Sequence, residues 1–391
     1  MHTGGIETLI LRLTNWLIEN NHQVDLALVK AEGVLLEKLN TKVNVIQLPK
    51  FAPFSIKVIY KRLDVKYDFI YSLSPRTVWL GLLMSFQCKC QAAFGVYHIN
   101  DYDRYSDAYN RFLFDNKVND TCKFFMTPAI AKYHEKLFGR NLADSYIFPI
   151  PLVVHKLGYK TREAQEKSIK IVSIGRLTKF KYYNIYMLDV INNLLKKGYN
   201  IEYDIYGDGE QRKEILRKIK MLNLNKYIKL KGTIDYDKMN NALEDAKVFV
   251  GMGTAAMEAA LAGVPTIVAL IDGKEPKTHG FIHELPDYNS GEFIKKLPLY
   301  SVEDKIEELL KFSQEDYEKI SEASCNKIKE QYAIEAIAKK LIDNIKISKF
   351  KNKEGALKIP LMFKLQSTLT VLEKDFADIR VYIIKKIKKA F

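Results

Sequence analysis

The chain has 391 residues, enough for two domains of ~150–200 residues rather than a single core. Hydrophobic residues make up 47% and aromatics 12%, which excludes a largely disordered chain. With 61 basic against 47 acidic residues the net charge is +14, pointing to an anionic partner: nucleic acid, a phosphorylated metabolite or an acidic membrane surface.

From residue 6 to about 155, short apolar runs alternate with longer amphipathic ones. Ile6 to Asn20 has a helical period, with Ile6, Leu9, Ile10, Leu13 and Leu17 on one face. Gln23–Val29, Val43–Leu48 and Asp68–Leu73 read as strands, and a helix follows from about Pro75. Ala92–His98 and Lys123–Thr127 complete the series, which predicts one parallel sheet wrapped by helices. Only three residues precede Gly4, so the strand that should lead into the Gly4-Gly5 turn is missing from the sheet or from the sequence. Tyr146–Val154 reads as a stiff crossing segment and Lys160–Lys170 as a charged linker.

A second alternating series follows. Its predicted strands are Lys170–Ile174, Ile201–Tyr206, Ile228–Lys231, Val248–Val250 and Thr266–Leu270, with helices near 184–197, 210–222, 236–245 and 254–262. Two further helical stretches fill 303–345. The expected organisation is α/β: two Rossmann-like, doubly wound domains, 1–155 and 156–345, facing a cleft in which ligands bind. Residues 346–391 form a basic tail with 12 basic and 4 acidic residues, expected to be helical and amphipathic.

The four cysteines, Cys88, Cys90, Cys122 and Cys325, match neither a redox pair nor a zinc ribbon and read as reduced thiols of a cytosolic protein. No apolar leader follows Met1-His2-Thr3-Gly4-Gly5. The longest apolar stretch, Val78 to Phe86, falls short of the ~20 residues of a spanning helix. The chain reads as soluble or peripheral.

Three segments carry chemistry. Gly175, at the end of a strand, precedes Arg176 and Lys181; two cations there suit a diphosphate, or form a solvated basic loop with Lys179. Tyr206-Gly207-Asp208-Gly209-Glu210 ends the next strand with two glycines. Gly251-Met252-Gly253 then turns into a helix starting near Thr254, which could cap it, while Ala255 and Ala256 leave its first turn open to phosphate oxygens. Glu258, on the first turn or so, could accept hydrogen bonds from sugar hydroxyls or simply favour the helix dipole. The Gly4-Gly5 turn before the first helix is either a ligand approach or plain punctuation.

In order, these segments resemble family 4 glycosyltransferases of the GT-B fold. The matching residues are Gly4-Gly5-Ile6-Glu7, Gly175-Arg176-Leu177 with Lys181, Gly207-Asp208-Gly209, and Gly251 with Glu258-Ala259 and Gly263-Val264-Pro265. The resemblance spans roughly residues 4–345. It implies transfer of a sugar, with retention, from a nucleotide-diphosphate donor to a glycan or lipid-linked acceptor in surface polysaccharide or glycolipid synthesis. It implies no bound metal and no cofactor. By position, Arg176 and Lys181 match the diphosphate pair and Glu258 the ribose-binding glutamate. Gly251, Gly253, Thr254 and Ala255 match the donor-binding helix start, Gly4 and Gly5 the turn facing the diphosphate and reacting sugar, and His98 the histidine near the donor sugar.

One position departs from that pattern. A second glutamate usually stands eight residues before the first, and here that position is Val250. Sugar recognition is then expected from the backbone of Gly251–Thr254 or from elsewhere, and a non-catalytic nucleotide-sugar-binding protein is the alternative reading. Nucleic-acid binding is not expected, because no recognised module accompanies the charge. The tail from Tyr382 to Phe391 sets Ile383, Ile384 and Ile387 on one helical face among four lysines, the pattern of a helix in an anionic membrane interface. A cytoplasmic protein, peripheral at the inner face of the membrane, is the expectation.

Overall fold

The computed structural model describes residues 4–28, 31–47, 67–103, 108–154, 169–235 and 238–347. Two compact units divide the described residues: those up to Pro149 together with Ile337–Ile347, and Ile150–Ala336.

The first unit opens with helix α1 (Gly5–Glu19). Its buried surface is wider than the predicted stripe: Thr8 through Thr14 are all buried, Arg12 included, while Leu17 is only half-buried. Strands β1 (Asp25–Leu28) and β2 (Asn44–Gln47) pair in parallel as a sheet of their own. Strand β3 (Phe69–Ser72), helix α2 (Val78–Cys88), strand β4 (Gln91–Val96), helix α3 (Ala108–Asn116), strand β5 (Lys123–Phe125), helix α4 (Pro128–Phe138) and strand β6 (Tyr146–Ile147) follow. Strands β3, β4, β5 and β6 lie side by side, all parallel. The single sheet expected here is therefore two among the described residues. No strand precedes α1 among the described residues, and the predicted crossing segment begins with β6.

Burial of Phe94, Tyr102, Phe114 and Phe125 between β4, β5 and the helices forms this unit's core. A charged knot closes its edge. The fully buried Lys123 ammonium donates to Asp120 Oδ1 at 2.6 Å and to the Asp115 carbonyl at 3.2 Å, and Arg140 bridges Asp115 and Asp120. Such a cation survives burial only because its partners replace its water.

The second unit is a seven-stranded sheet. Its elements are β7 (Ile169–Ile174), α5 (Tyr183–Lys196), β8 (Ile201–Tyr206), α6 (Arg212–Met221), β9 (Ile228–Gly232), α7 (Met239–Leu243), β10 (Val248–Gly251), α8 (Thr254–Leu261) and β11 (Thr266–Ala269). Then come β12 (Lys277–Phe281), β13 (Tyr300–Ser301), α9 (Val302–Leu310) and α10 (Gln314–Tyr332); the last helix, α11 (Ile334–Ile347), belongs from Ile337 onward to the first unit. The strand order is β13-β12-β11-β10-β7-β8-β9, parallel from β11 to β9, with β12 and β13 added antiparallel at one edge. The sequence reading predicts neither β12 nor β13. The two helical stretches predicted over 303–345 are three helices. Alternation along the strands fills two cores: Ile171, Val248 and Val250 pack with α5, α6 and α9, while Val172, Phe249 and Val268 pack with α7, α8 and α10.

Candidate functional site

Strand β7 lies between β10 and β8, so the chain leaves β7 towards one side and β10 towards the other. The carboxyl ends of two such strands form the crevice where doubly wound sheets bind ligands. The loops after β7 and β10 are the ones that carry Arg176, Lys181, Gly251, Gly253, Thr254, Ala255 and Glu258.

Glycines set the approach of these loops. Gly175 has φ +154, and a Cβ there would stand 2.6 Å from Lys181 Nζ and 3.4 Å from the Tyr183 hydroxyl. Its amide donates to the Tyr206 carbonyl at 2.9 Å, the Leu177 amide to Asp208 at 2.9 Å, and the Gln211 amide to Leu177 at 3.1 Å. Gly207 and Gly209 allow this lacing: a Cβ on Gly207 would run into the Gly175 carbonyl, and one on Gly209 into the backbone of Leu177. The second glycine pair therefore serves close loop packing.

Arg176 is exposed and Lys181 half-buried. Among the described residues neither is paired with a carboxylate. The Lys181 ammonium lies 5.9 Å from the Phe180 ring centroid. Burial, and then the neighbouring Arg176 charge, push its pKa down from 10.5 to about 8. Two cations without counter-charge thus stand at the end of β7. Below them the Tyr183 hydroxyl is buried with no partner among the described residues, 3.4 Å from a Cβ on Gly175 and 3.6 Å from one on Gly251. Beside it Tyr203 donates to Ser173 Oγ at 2.8 Å, and Ser173 Oγ to the Val250 carbonyl at 2.5 Å, tying β8, β7 and β10 together.

After the neighbouring strand β10, α8 starts beyond Gly253, whose φ of +65 makes the turn. Gly253, not Thr254, is the N-cap, and no side chain caps the helix. The first amides, at Thr254 and Ala255, have no intrahelical acceptor and face outward with the positive end of the helix. Glu258 is the fifth residue of α8, past the first turn, and buried. Val250 has no exposure and belongs to the core beneath α5, so the position where the family pattern has a glutamate does not reach solvent here.

The sequence reading missed the loop Tyr288–Glu292. The Gly253 amide donates to the Ser290 carbonyl at 2.7 Å, and the Ile271 amide to Gly291 at 2.8 Å, so this loop is fastened to the ends of both β10 and β11.

In the first unit, His98 is exposed just beyond β4. The carboxylate of Asp101 accepts from the Tyr97 and His98 amides at 3.1 and 3.0 Å and fixes that turn. Gly4 is the extended N-cap of α1, and a Cβ on it would collide with the Glu7 carboxylate. Glu7 thus already supplies negative charge at the start beside Gly4 and Gly5. Among the described residues no group of three or more His, Cys, Asp or Glu side chains is placed to hold a metal ion. No described helix is long and apolar enough to cross a membrane.

Residues 159–327 match the family model for glycosyl transferases group 1. The solved structures with similar folds include Anabaena HepE in complex with UDP and glucose, at 15% identity and TM-score 0.65, covering 88% of this chain and 96% of that one. A glycosyltransferase from Rickettsia africae gives 13% identity and TM-score 0.68, covering 88% and 95%. Sucrose-phosphate synthase from Thermosynechococcus elongatus gives 14% and 0.64, covering 88% and 93%. No curated protein matches the sequence significantly. The fold is GT-B.

Proposed function

We propose that the chain is a retaining glycosyltransferase of family 4 that takes a hexosyl group from a nucleotide-diphosphate donor. Its acceptor is a glycan or lipid-linked molecule of a surface polysaccharide or glycolipid. The observation that carries the reading is the pair of cations, Arg176 and Lys181, without counter-charge at the end of β7, together with the uncapped start of α8 after the neighbouring strand β10. A diphosphate supplies the anion both elements lack. As the donor bond breaks, charge grows on the leaving diphosphate, and the guanidinium, the ammonium and the helix amides stabilise it without a metal or cofactor.

In this reading Glu258 holds the ribose, Gly251, Gly253, Thr254 and Ala255 seat the phosphates, Gly4 and Gly5 form a turn that faces the diphosphate and reacting sugar, and His98 serves that sugar. HepE in complex with UDP-glucose shares the fold, which supports a nucleotide-sugar donor. The basic tail beyond Lys346 would hold the enzyme to the inner face of the cell membrane.

The test is a panel of UDP-, GDP-, ADP- and CMP-sugars, scored by thermal shift and donor hydrolysis. Stabilisation and hydrolysis by one donor are expected; no response to any donor overturns the reading. A second reading, a nucleotide-sugar-binding protein without turnover, is favoured by the buried Val250. It is distinguished by stabilisation with no hydrolysis and no transfer.

A further inference from the structure

We propose that Glu292 is the carboxylate that recognises hydroxyls of the transferred sugar, a specificity-determining residue that rests on the donor reading above. The loop that carries it is built to hold one shape. Gly291 has φ +144, and a Cβ there would stand 2.9 Å from the Ala269 carbonyl and 3.0 Å from Met252 Cβ. The buried Asn289 braces the turn from both sides, donating to the Glu292 carbonyl at 2.9 Å and accepting from the Gly291 amide at 3.0 Å. Within this turn the Glu292 carboxylate accepts from the Ser290 amide at 3.0 Å. Ser290 in turn accepts from Gly253, the residue from which α8 starts.

Position and valence then point the same way. Two hydrogen bonds and one residue of backbone separate the carboxylate from the Gly253 nitrogen, a reach of about 9 Å at most. A sugar joined to a phosphate seated at the start of α8 falls within that reach. The carboxylate is half-buried, and among the described residues the Ser290 amide is its one hydrogen-bond donor and no cation pairs with it. An ionised carboxylate can accept about four hydrogen bonds, so most of its capacity is open to donors such as sugar hydroxyls. The two cations of the site lie on the β7 loop, while this acceptor lies on the loop fastened to the ends of β10 and β11. Phosphate and sugar would each meet the chemistry that suits them. With Val250 sealed in the core, β10 itself supplies no carboxylate.

The plainer role for Glu292 is to staple its own turn, and the experiment separates the two. Glu292→Gln keeps an oxygen that can accept from the Ser290 amide but removes the charge. The probes are UDP, GDP and ADP, each alone and as its glucose conjugate, with the wild-type chain measured alongside. For the nucleotide that wild type binds, the variant should bind the free diphosphate within about twofold while losing about tenfold or more for the conjugate. Donor analogues lacking one hydroxyl extend the test. The analogue that costs wild type most should cost the variant little. Equal losses for diphosphate and conjugate, or no loss for either, make the carboxylate structural and overturn the proposal. A wild-type chain that binds none of the three diphosphates overturns the donor reading itself, and the assignment with it.

Discussion

Lys181 reaches Gly175: a side-chain carbon on the glycine would sit 2.6 Å from the ammonium. The space the missing Cβ leaves is where Lys181 projects, held beside Arg176 with no carboxylate near among the described residues. Each charge-assisted contact to a diphosphate should contribute about 1.5–3 kcal/mol. Arg176→Ala and Lys181→Ala are each expected to weaken binding of the nucleoside diphosphate more than about tenfold. Isothermal titration giving affinities within twofold of wild type would reject the diphosphate role.

The same ammonium sets a dependence on pH. Its folded pKa of about 8 lies below the ordinary 10.5, so between those values the unfolded chain holds the extra proton. Stability therefore falls as pH drops through that window, and below it the full cost persists, on the order of 3 kcal/mol. Lys181→Met should raise the unfolding midpoint at pH 7 by a few degrees while weakening diphosphate binding more than about tenfold. In wild type, diphosphate affinity should decline as pH rises through about 8, where the ammonium is lost. A variant that melts at or below wild type, or an affinity flat from pH 7 to 9, contradicts this account.

The parallel core of the second unit was legible because its strands are short apolar runs separated by helical periods, as in Ile201–Tyr206 and Thr266–Ala269. Strand β12 was not, since Lys-Thr-His-Gly-Phe looks like a loop. Its polar residues are buried with their bonds met inside: Thr278 donates to the Val268 carbonyl at 2.7 Å, and His279 is bonded to the Pro298 carbonyl and the Ile294 amide. Asn289 and Ser290 escaped notice for the same reason. The division of the closing helices did leave a signal. Ser301 and Ser313 each accept from the amide three residues on, at Asp304 and Asp316, a capping spacing visible in the sequence. Gly207 and Gly209 were visible as punctuation, but their purpose depends on the backbone of Gly175 and Leu177 arriving from another strand.

Glu258 is expected to bind rather than to transfer protons. It sits on α8 one turn in from the helix start, and a carboxylate there can accept from two ribose hydroxyls. Glu258→Gln should raise the donor KM and leave the rate at saturating donor nearly unchanged. If instead kcat collapses with donor affinity intact, the ribose role is wrong.

In the first unit, Lys123 is fully buried and depends on Asp120. Burial alone would raise the Asp120 pKa, but hydrogen bonds from Arg140 and Lys123 outweigh it and hold the carboxyl below its usual range. The stability this gives is present above the ordinary carboxylate range and is lost as pH falls through the depressed value. Asp120→Asn leaves a buried ammonium without its counter-charge and should cost about 3–5 kcal/mol. Urea unfolding that shifts by less than about 1 kcal/mol would show that the Asp115 carbonyl and water suffice. Diphosphate affinity, carried chiefly by Arg176 and Lys181, should change by less than about twofold where the chain is still folded.

The basic tail supplies the last test, and it lies outside the described residues. Ile383, Ile384 and Ile387 share a helical face by spacing, with Lys385, Lys386, Lys388 and Lys389 around them and Phe391 at the end. Each lysine near an anionic leaflet is worth roughly 1 kcal/mol, so four of them with the apolar face should hold the chain to anionic vesicles at low salt. Screening weakens such contacts as ionic strength rises. Deletion of residues 380–391 should therefore abolish sedimentation with vesicles rich in anionic lipid and leave diphosphate affinity unchanged. Wild-type sedimentation should also fall steeply between low and physiological salt. A truncated chain that still sediments as fully as wild type means that these isoleucines dock on the protein and that another surface meets the membrane.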